Sequence, residues 1–266
     1  MKSSLHMLLA VGCSALNMLP DGRRVHILKS DEAVADLIRV RVSEQIKEAI
    51  ASKGAFSMSI GSGTTVSPLI DLGSVASIDY TKVHLFFGNE RTEGDAAGKC
   101  LRGAAELLRA WEGVVVHPVP SGPAADSACQ YETELRAMPD NIVGVCSRSG
   151  LPALDLCLLG SGADGHCASL YPDSEQVVRY ARSNERVYVP ADGKGGITLT
   201  IDAINSARQV LLSAGKPTQA DMVRKALGWS NAASNTAIPA AMVAASDDTN
   251  VEWLLTQESA VALPAL

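Results

Sequence analysis

The chain has 266 residues, 47% of them hydrophobic and 4% aromatic, and carries a formal net charge of −6. Such a length and apolar share suit one large globular domain or two small ones with a sizeable core. The acidic balance, with no stretch that concentrates Lys and Arg, excludes an ordinary nucleic-acid surface, and no apolar run reaches the roughly 18 residues of a membrane span.

In chain order, Lys2 precedes a moderately apolar run from Leu5 to Leu19, and Ala10-Val11-Gly12-Cys13 bears a faint likeness to a lipoprotein signal. The run is short for a span, so residues 1–22 are read as an N-terminal extension and 23–266 as a single α/β domain. Apolar, β-rich runs then recur at Val25–Leu28, Phe56–Ile60, Val83–Phe87, Val114–His117, Leu154–Leu159, Val187–Val189, Ile197–Ile201 and Val210–Leu212, with a last one at Val251–Leu255. Helical patterns lie between them. Ser30 is placed to cap a helix with Asp31 and Glu32 in its first turn, and Val34, Ile38, Val42, Ile46 and Ala49 repeat at helical spacing. Further helices are expected over Ala96–Trp111, Asp126–Met138 and Thr218–Leu227. Strands that alternate with helices and lack polar alternation predict a largely parallel sheet with helices on both faces.

Cys13, Cys100, Cys129, Cys146, Cys157 and Cys167 are scattered without C-x-x-C pairs, which suits a reduced, intracellular protein with no cysteine metal site. Cys167 beside His166 invites a thiol nucleophile, but adjacent residues of an extended segment point opposite ways.

Four strand ends carry chemistry. Phe56–Ile60 runs into Gly61-Ser62-Gly63-Thr64-Thr65, which reads equally as a phosphate loop at a helix start or as an ordinary strand-to-helix turn. Val83–Phe87 ends in Gly88-Asn89-Glu90-Arg91, where Arg91 is placed to bind a phosphate, to offset an oxyanion, or merely to pair with Glu90. Leu154–Leu159 ends in Gly160-Ser161-Gly162-Ala163-Asp164-Gly165-His166. Here a carboxylate and an imidazole emerge two residues apart, a pair suited to proton transfer because histidine titrates near neutrality and a neighbouring carboxylate fixes its tautomer. The same glycines spell G-x-G-x-x-G, yet Pro172 interrupts the long helix that a dinucleotide site needs. Lys216, between Gly215 and Pro217, adds a point charge that is otherwise simply solvated. No G-x-S-x-G elbow or His-x-x-x-His spacing occurs, and His6, His26, His84 and His117 read as structural.

Gly160–Pro172 as a whole resembles the G-x-G-x-D-G-H-x-A-S-[LI]-F-P signature of the 6-phosphogluconolactonase family. Gly61–Thr65, Phe86–Arg91, Ile197-Thr198-Leu199-Thr200 and Ile238-Pro239-Ala240 are similar to further family segments, in order over about Val25 to Leu255. The resemblance implies a Rossmann-like α/β fold and hydrolysis of 6-phospho-D-glucono-1,5-lactone. It also implies that His166 is the general base, that Asp164 orients it or the substrate, and that Arg91, Gly162 and the Gly61–Thr65 loop handle the phosphate or developing charge. Lys216 matches a family lysine only loosely. No cofactor or metal is expected, and the expected state is a cytoplasmic monomer acting on a small sugar-phosphate lactone, without nucleic-acid or membrane partners. Three departures stand out. Asn89 replaces the usual Asp, which argues against isomerase or deaminase chemistry; no Ser-Asn pair follows within Thr92–Cys100; and Gly195-Gly196 replace the Arg that often precedes I-T-L-T, leaving Lys194 as a substitute. A non-catalytic sugar-phosphate sensor is the remaining alternative reading.

Overall fold

Aliphatic runs with no polar alternation need apolar cover on both sides. A computed structural model describing residues 13–180, 184–191, 193, 195–228 and 237–263 shows how they obtain it. The strands β1 (Cys13–Met18), β2 (Arg24–Leu28), β3 (Phe56–Ile60), β4 (Val83–Phe87), β6 (Val115–Val116), β9 (Leu156–Gly160), β12 (Gln209–Ser213) and β13 (Asn250–Thr256) form one eight-stranded sheet in the order β1-β2-β13-β12-β9-β3-β4-β6. All neighbours are parallel except β1 and β2. Side chains alternate between two cores: Leu156 and Leu158 of β9 enter one, Cys157 and Leu159 the other.

The helix α1 (Asp31–Lys53) covers one face. Ser30 Oγ accepts the Ala33 N–H, Asp31 and Glu32 occupy the first turn, and Gly54 closes the helix in the left-handed region at φ 86°. The stripe Val34, Ile38, Val42, Ile46 and Ala49 is buried as its spacing predicts, with Leu37 beside it. The opposite face is covered by α4 (Ala124–Arg136), by α7 (Ala220–Leu227) and by the turn Pro239–Met242. A small antiparallel sheet, in the order β10 (Tyr188–Pro190), β11 (Gly196–Leu199), β5 (Asn89–Arg91), stands beside α4, while β7 (Gly144–Val145) pairs antiparallel with β8 (Pro152–Ala153) and the short helix α5 (Glu175–Tyr180) precedes β10. Among the described residues, no helix is long and apolar enough to cross a membrane.

Several elements differ from the sequence pattern. The helix expected over Ala96–Trp111 begins only after Gly98, which takes φ 72°, and is broken at Ala104 (φ −90°, ψ 2°) into α2 (Lys99–Gly103) and α3 (Ala105–Ala110). The strand expected to reach Ile201 stops at Leu199; Thr200 Oγ1 instead accepts the Ala203 N–H and caps the helical turn α6 (Ile201–Ile204). Of the segment read as an N-terminal extension, Cys13–Met18 is the edge strand β1, turning at Gly22 into β2, so the boundary expected at residue 23 falls inside a hairpin. An edge strand needs burial on only one side, so its apolar signal is weaker. Residues 1–12 lie outside the described residues.

His26 has the structural role its sequence context suggested. Its Nε2 lies 2.7 Å from Glu252 Oε2, which Arg41 Nε also contacts at 3.1 Å, while Gln209 Nε2 reaches Oε1 at 3.4 Å. The carboxylate thereby ties β2, β13, β12 and α1 together. Burial pushes the Glu252 carboxyl up, but the His26 hydrogen bond and the Arg41 charge outweigh it and hold the group below the usual glutamate range. Its stabilisation is therefore complete above the ordinary value of 4.5 and is lost as pH falls through the lower folded value. Glu252→Gln is expected to cost about 3–5 kcal/mol at neutral pH in chemical denaturation. The gap from wild type should narrow on acidification.

Candidate active site

In chain order the parallel sheet grows outward from β3 to β4 to β6, then restarts at β9 and grows the other way to β12 and β13. Crossovers therefore leave in opposite directions at the β3–β9 boundary, and their connecting loops part there to open a crevice beyond the carboxyl ends of the strands. A cleft of about 560 Å³ occupies this place. It is walled by the loop after β3, by the loop after β9, by the segment after β4 and, from the far side, by Lys216 after β12.

Nine of the ten residues singled out from the sequence line this cleft: Gly61, Ser62, Gly63, Thr64, Thr65, Arg91, Gly162, His166 and Lys216. The tenth, Asp164, stands behind His166. The His166 Nδ1 and Asp164 Oδ1 atoms are 2.6 Å apart, and the same oxygen accepts the His166 backbone N–H at 3.2 Å. The loop is wound tightly: Gly162 N–H donates to His166 O, Gly165 N–H donates to Gly162 O, and Gly165 takes φ 90°. A Cβ on Gly162 would strike both the His166 ring and the Asp164 carboxylate, so only glycine admits the pair. From outside, Ala240 N–H bonds Gly165 O, which docks the loop on the Pro239–Met242 turn. Lys194 lies outside the described residues.

Partial burial pushes the Asp164 carboxyl up, but the hydrogen bonds from the His166 backbone and ring prevail and hold it below the usual aspartate range. A carboxylate beside Nδ1 favours the tautomer that carries its proton there. His166 is partly exposed, its side chain retaining 33% of its accessible surface. Cys167 is fully buried, and burial pushes its thiol up to about 12, which removes it as a nucleophile. Cys100, at the cleft wall, is also pushed up to about 12 by burial.

Asn89 lines the cleft, where its Nδ2 donates to Ser169 Oγ at 3.0 Å. Lys99 escapes the sequence reading, which gives Glu90 only a pairing with Arg91. Lys99 lines the cleft from the start of α2. Behind it, the Glu90 carboxylate is buried and accepts three backbone N–H groups: Arg91 and Cys100 on Oε1 and Leu101 on Oε2, each at 2.8 Å. In the sequence Lys99 falls within an apparent helix, and only the break at Gly98 turns it toward the cleft. Among the described residues, no group of three or more His, Cys, Asp and Glu side chains is placed to hold a metal.

With this geometry in hand, comparison with known proteins is direct. The chain is 32% identical over 232 residues to a 6-phosphogluconolactonase of Mycobacterium tuberculosis, covering 85% of this chain and 92% of that one. It is also 32% identical over 208 residues to one of Synechocystis, covering 74% of this chain and 82% of the relative. Crystal structures of 6-phosphogluconolactonases share the fold: that from Shewanella baltica has a TM-score of 0.72 at 21% identity, covering 90% of this chain and all of its own. That from Trypanosoma brucei has a TM-score of 0.71 at 19% identity, covering 94% of this chain and 100% of its own. The family model described as glucosamine-6-phosphate isomerases/6-phosphogluconolactonase matches residues 29–253, and the chain belongs to that family.

Proposed function

We propose that the protein hydrolyses 6-phospho-D-glucono-1,5-lactone to 6-phosphogluconate, with His166 as general base. The observation that carries this reading is the Asp164–His166 pair beside a cleft that, among the described residues, is lined by Arg91, Lys99 and Lys216 and by no Asp or Glu side chain. A cleft of that charge suits a phosphate ester, and a δ-lactone is an activated ester that needs no protein nucleophile.

Asp164 holds Nδ1–H, so Nε2 takes a proton from water as the water oxygen attacks C1. The carbonyl oxygen becomes an oxyanion in the tetrahedral intermediate. As that intermediate collapses, the C1–ring-oxygen bond breaks and Nε2–H returns a proton to the ring oxygen, giving an open-chain acid. Backbone N–H groups and hydroxyls of Gly61–Thr65, together with the cations, hold the phosphate and fix C1 against the imidazole, which is catalysis by positioning. The sheet-edge residue Asn89 argues against the isomerase or deaminase alternative, because an amide cannot abstract a proton from carbon and this one is engaged with Ser169.

The test is hydrolysis of freshly generated 6-phosphogluconolactone, coupled to 6-phosphogluconate dehydrogenase and corrected for spontaneous opening, with unphosphorylated gluconolactone as control. Strong preference for the phosphorylated lactone is expected; no rate above background would refute the reading. His166→Ala should lower kcat by about 10²–10⁴-fold while far-UV circular dichroism stays unchanged. Asp164→Asn should lower kcat roughly 10²-fold or more, since an amide no longer enforces the tautomer with Nε2 free.

A further inference from the structure

Most cations of this acidic chain are matched to carboxylates. Arg39, for example, bonds Glu32, Asp36 and Asp71, and Arg41 bonds Glu44 and Glu252. Lys99 is different: among the described residues, the cleft it faces has no carboxylate in its lining and Lys99 itself has no ion pair. Exposed lysines are ordinarily just solvated, so its setting decides the matter.

That setting is rigid. Through the Arg91, Cys100 and Leu101 N–H groups, the buried Glu90 carboxylate fixes the strand that carries Arg91 to the turn that carries Lys99. The facing strand cannot supply a cation at this point. Gly196 is the register partner of Arg91, and a Cβ there would meet the Glu90 carbonyl oxygen. Lys216 enters from the opposite flank, because β12 and β4 are separated by β9 and β3, roughly 14 Å at the usual strand spacing. Among the described residues, the cation placed to share a dianion with Arg91 is therefore Lys99.

We propose that Lys99 is a substrate-binding residue that, with Arg91, holds a phosphate monoester and selects phosphorylated over unphosphorylated ligands. The identity of the ester rests on the lactonase reading; the cation pair does not. Glu90 is the positioning residue that aligns the two cations. A phosphate dianion between a guanidinium and an ammonium gains charge-assisted hydrogen bonds from both.

The experiment measures binding of 6-phosphogluconate and of inorganic phosphate by calorimetry to wild type, Lys99→Gln and Lys99→Arg, alongside turnover of both lactones. Lys99 is exposed, so both variants should fold. Lys99→Gln is expected to raise the Kd for 6-phosphogluconate roughly tenfold, and Lys99→Arg to recover most of it. The kcat/KM ratio of phosphorylated to unphosphorylated lactone should fall by a similar factor, through KM rather than kcat. Unchanged Kd values in Lys99→Gln would overturn the proposal even if wild type is a fast lactonase. Weakened phosphate binding in Lys99→Gln, in a wild type that opens no lactone, would uphold Lys99 and sink the lactonase reading instead.

Discussion

The parallel pairing of β3 with β9 is the contact on which the site depends. Met58 faces Leu156 and Ser59 faces Cys157 across this seam, which joins two halves of the sheet that grow in opposite directions. Because the strands run parallel, the Gly61–Thr65 loop and the Asp164–His166 loop emerge at the same edge, and because the crossovers diverge, no helix fills the space between them. The seam is held by burial on both sides, with Met58 and Leu156 in one core and Cys157 in the other. A slip of one residue would exchange the cores these side chains enter and move His166 away from the β3 loop.

Charge is distributed around this edge in a consistent way. Two carboxylates beside the cleft are held by other partners. Glu90 is buried on backbone N–H groups, and Asp164 is bonded to His166. Neither is among the described residues that line the cleft, where Arg91, Lys99 and Lys216 stand without an Asp or Glu side chain in the lining. A buried carboxylate is expensive unless its oxygens are well satisfied, and three N–H donors meet that need for Glu90. The same bonds bring β5 and α2 together, so one side chain both withdraws negative charge from the cleft and sets its cationic wall. Glycine plays the complementary part: Gly162 leaves room for the His166 ring, and Gly196 lets β11 approach β5 closely.

Much of this was legible in the residues. The two-sided burial of the main strands followed from runs without polar alternation, α1 from its cap and periodicity, and the Asp164–His166 pair from its spacing after a strand. These features are local: burial period, capping chemistry and turn glycines act within a few residues. What was not legible depends on partners distant in sequence. The strand β5 is three residues long and exists because β11 pairs with it. β1 exists because β2 has a free edge.

The sequence by itself determined an α/β chain with a parallel sheet, a glycine turn bearing a carboxylate and an imidazole, and membership signals spread along its length. The tertiary structure alone decided that nine separate sequence candidates share one cleft, that Lys99 joins them, and that Glu90 serves as an internal cap. The reason is physical. Propensity and periodicity specify what a segment becomes, whereas which side chains meet is set by strand order and by breaks such as Gly98, where a left-handed residue redirects the chain.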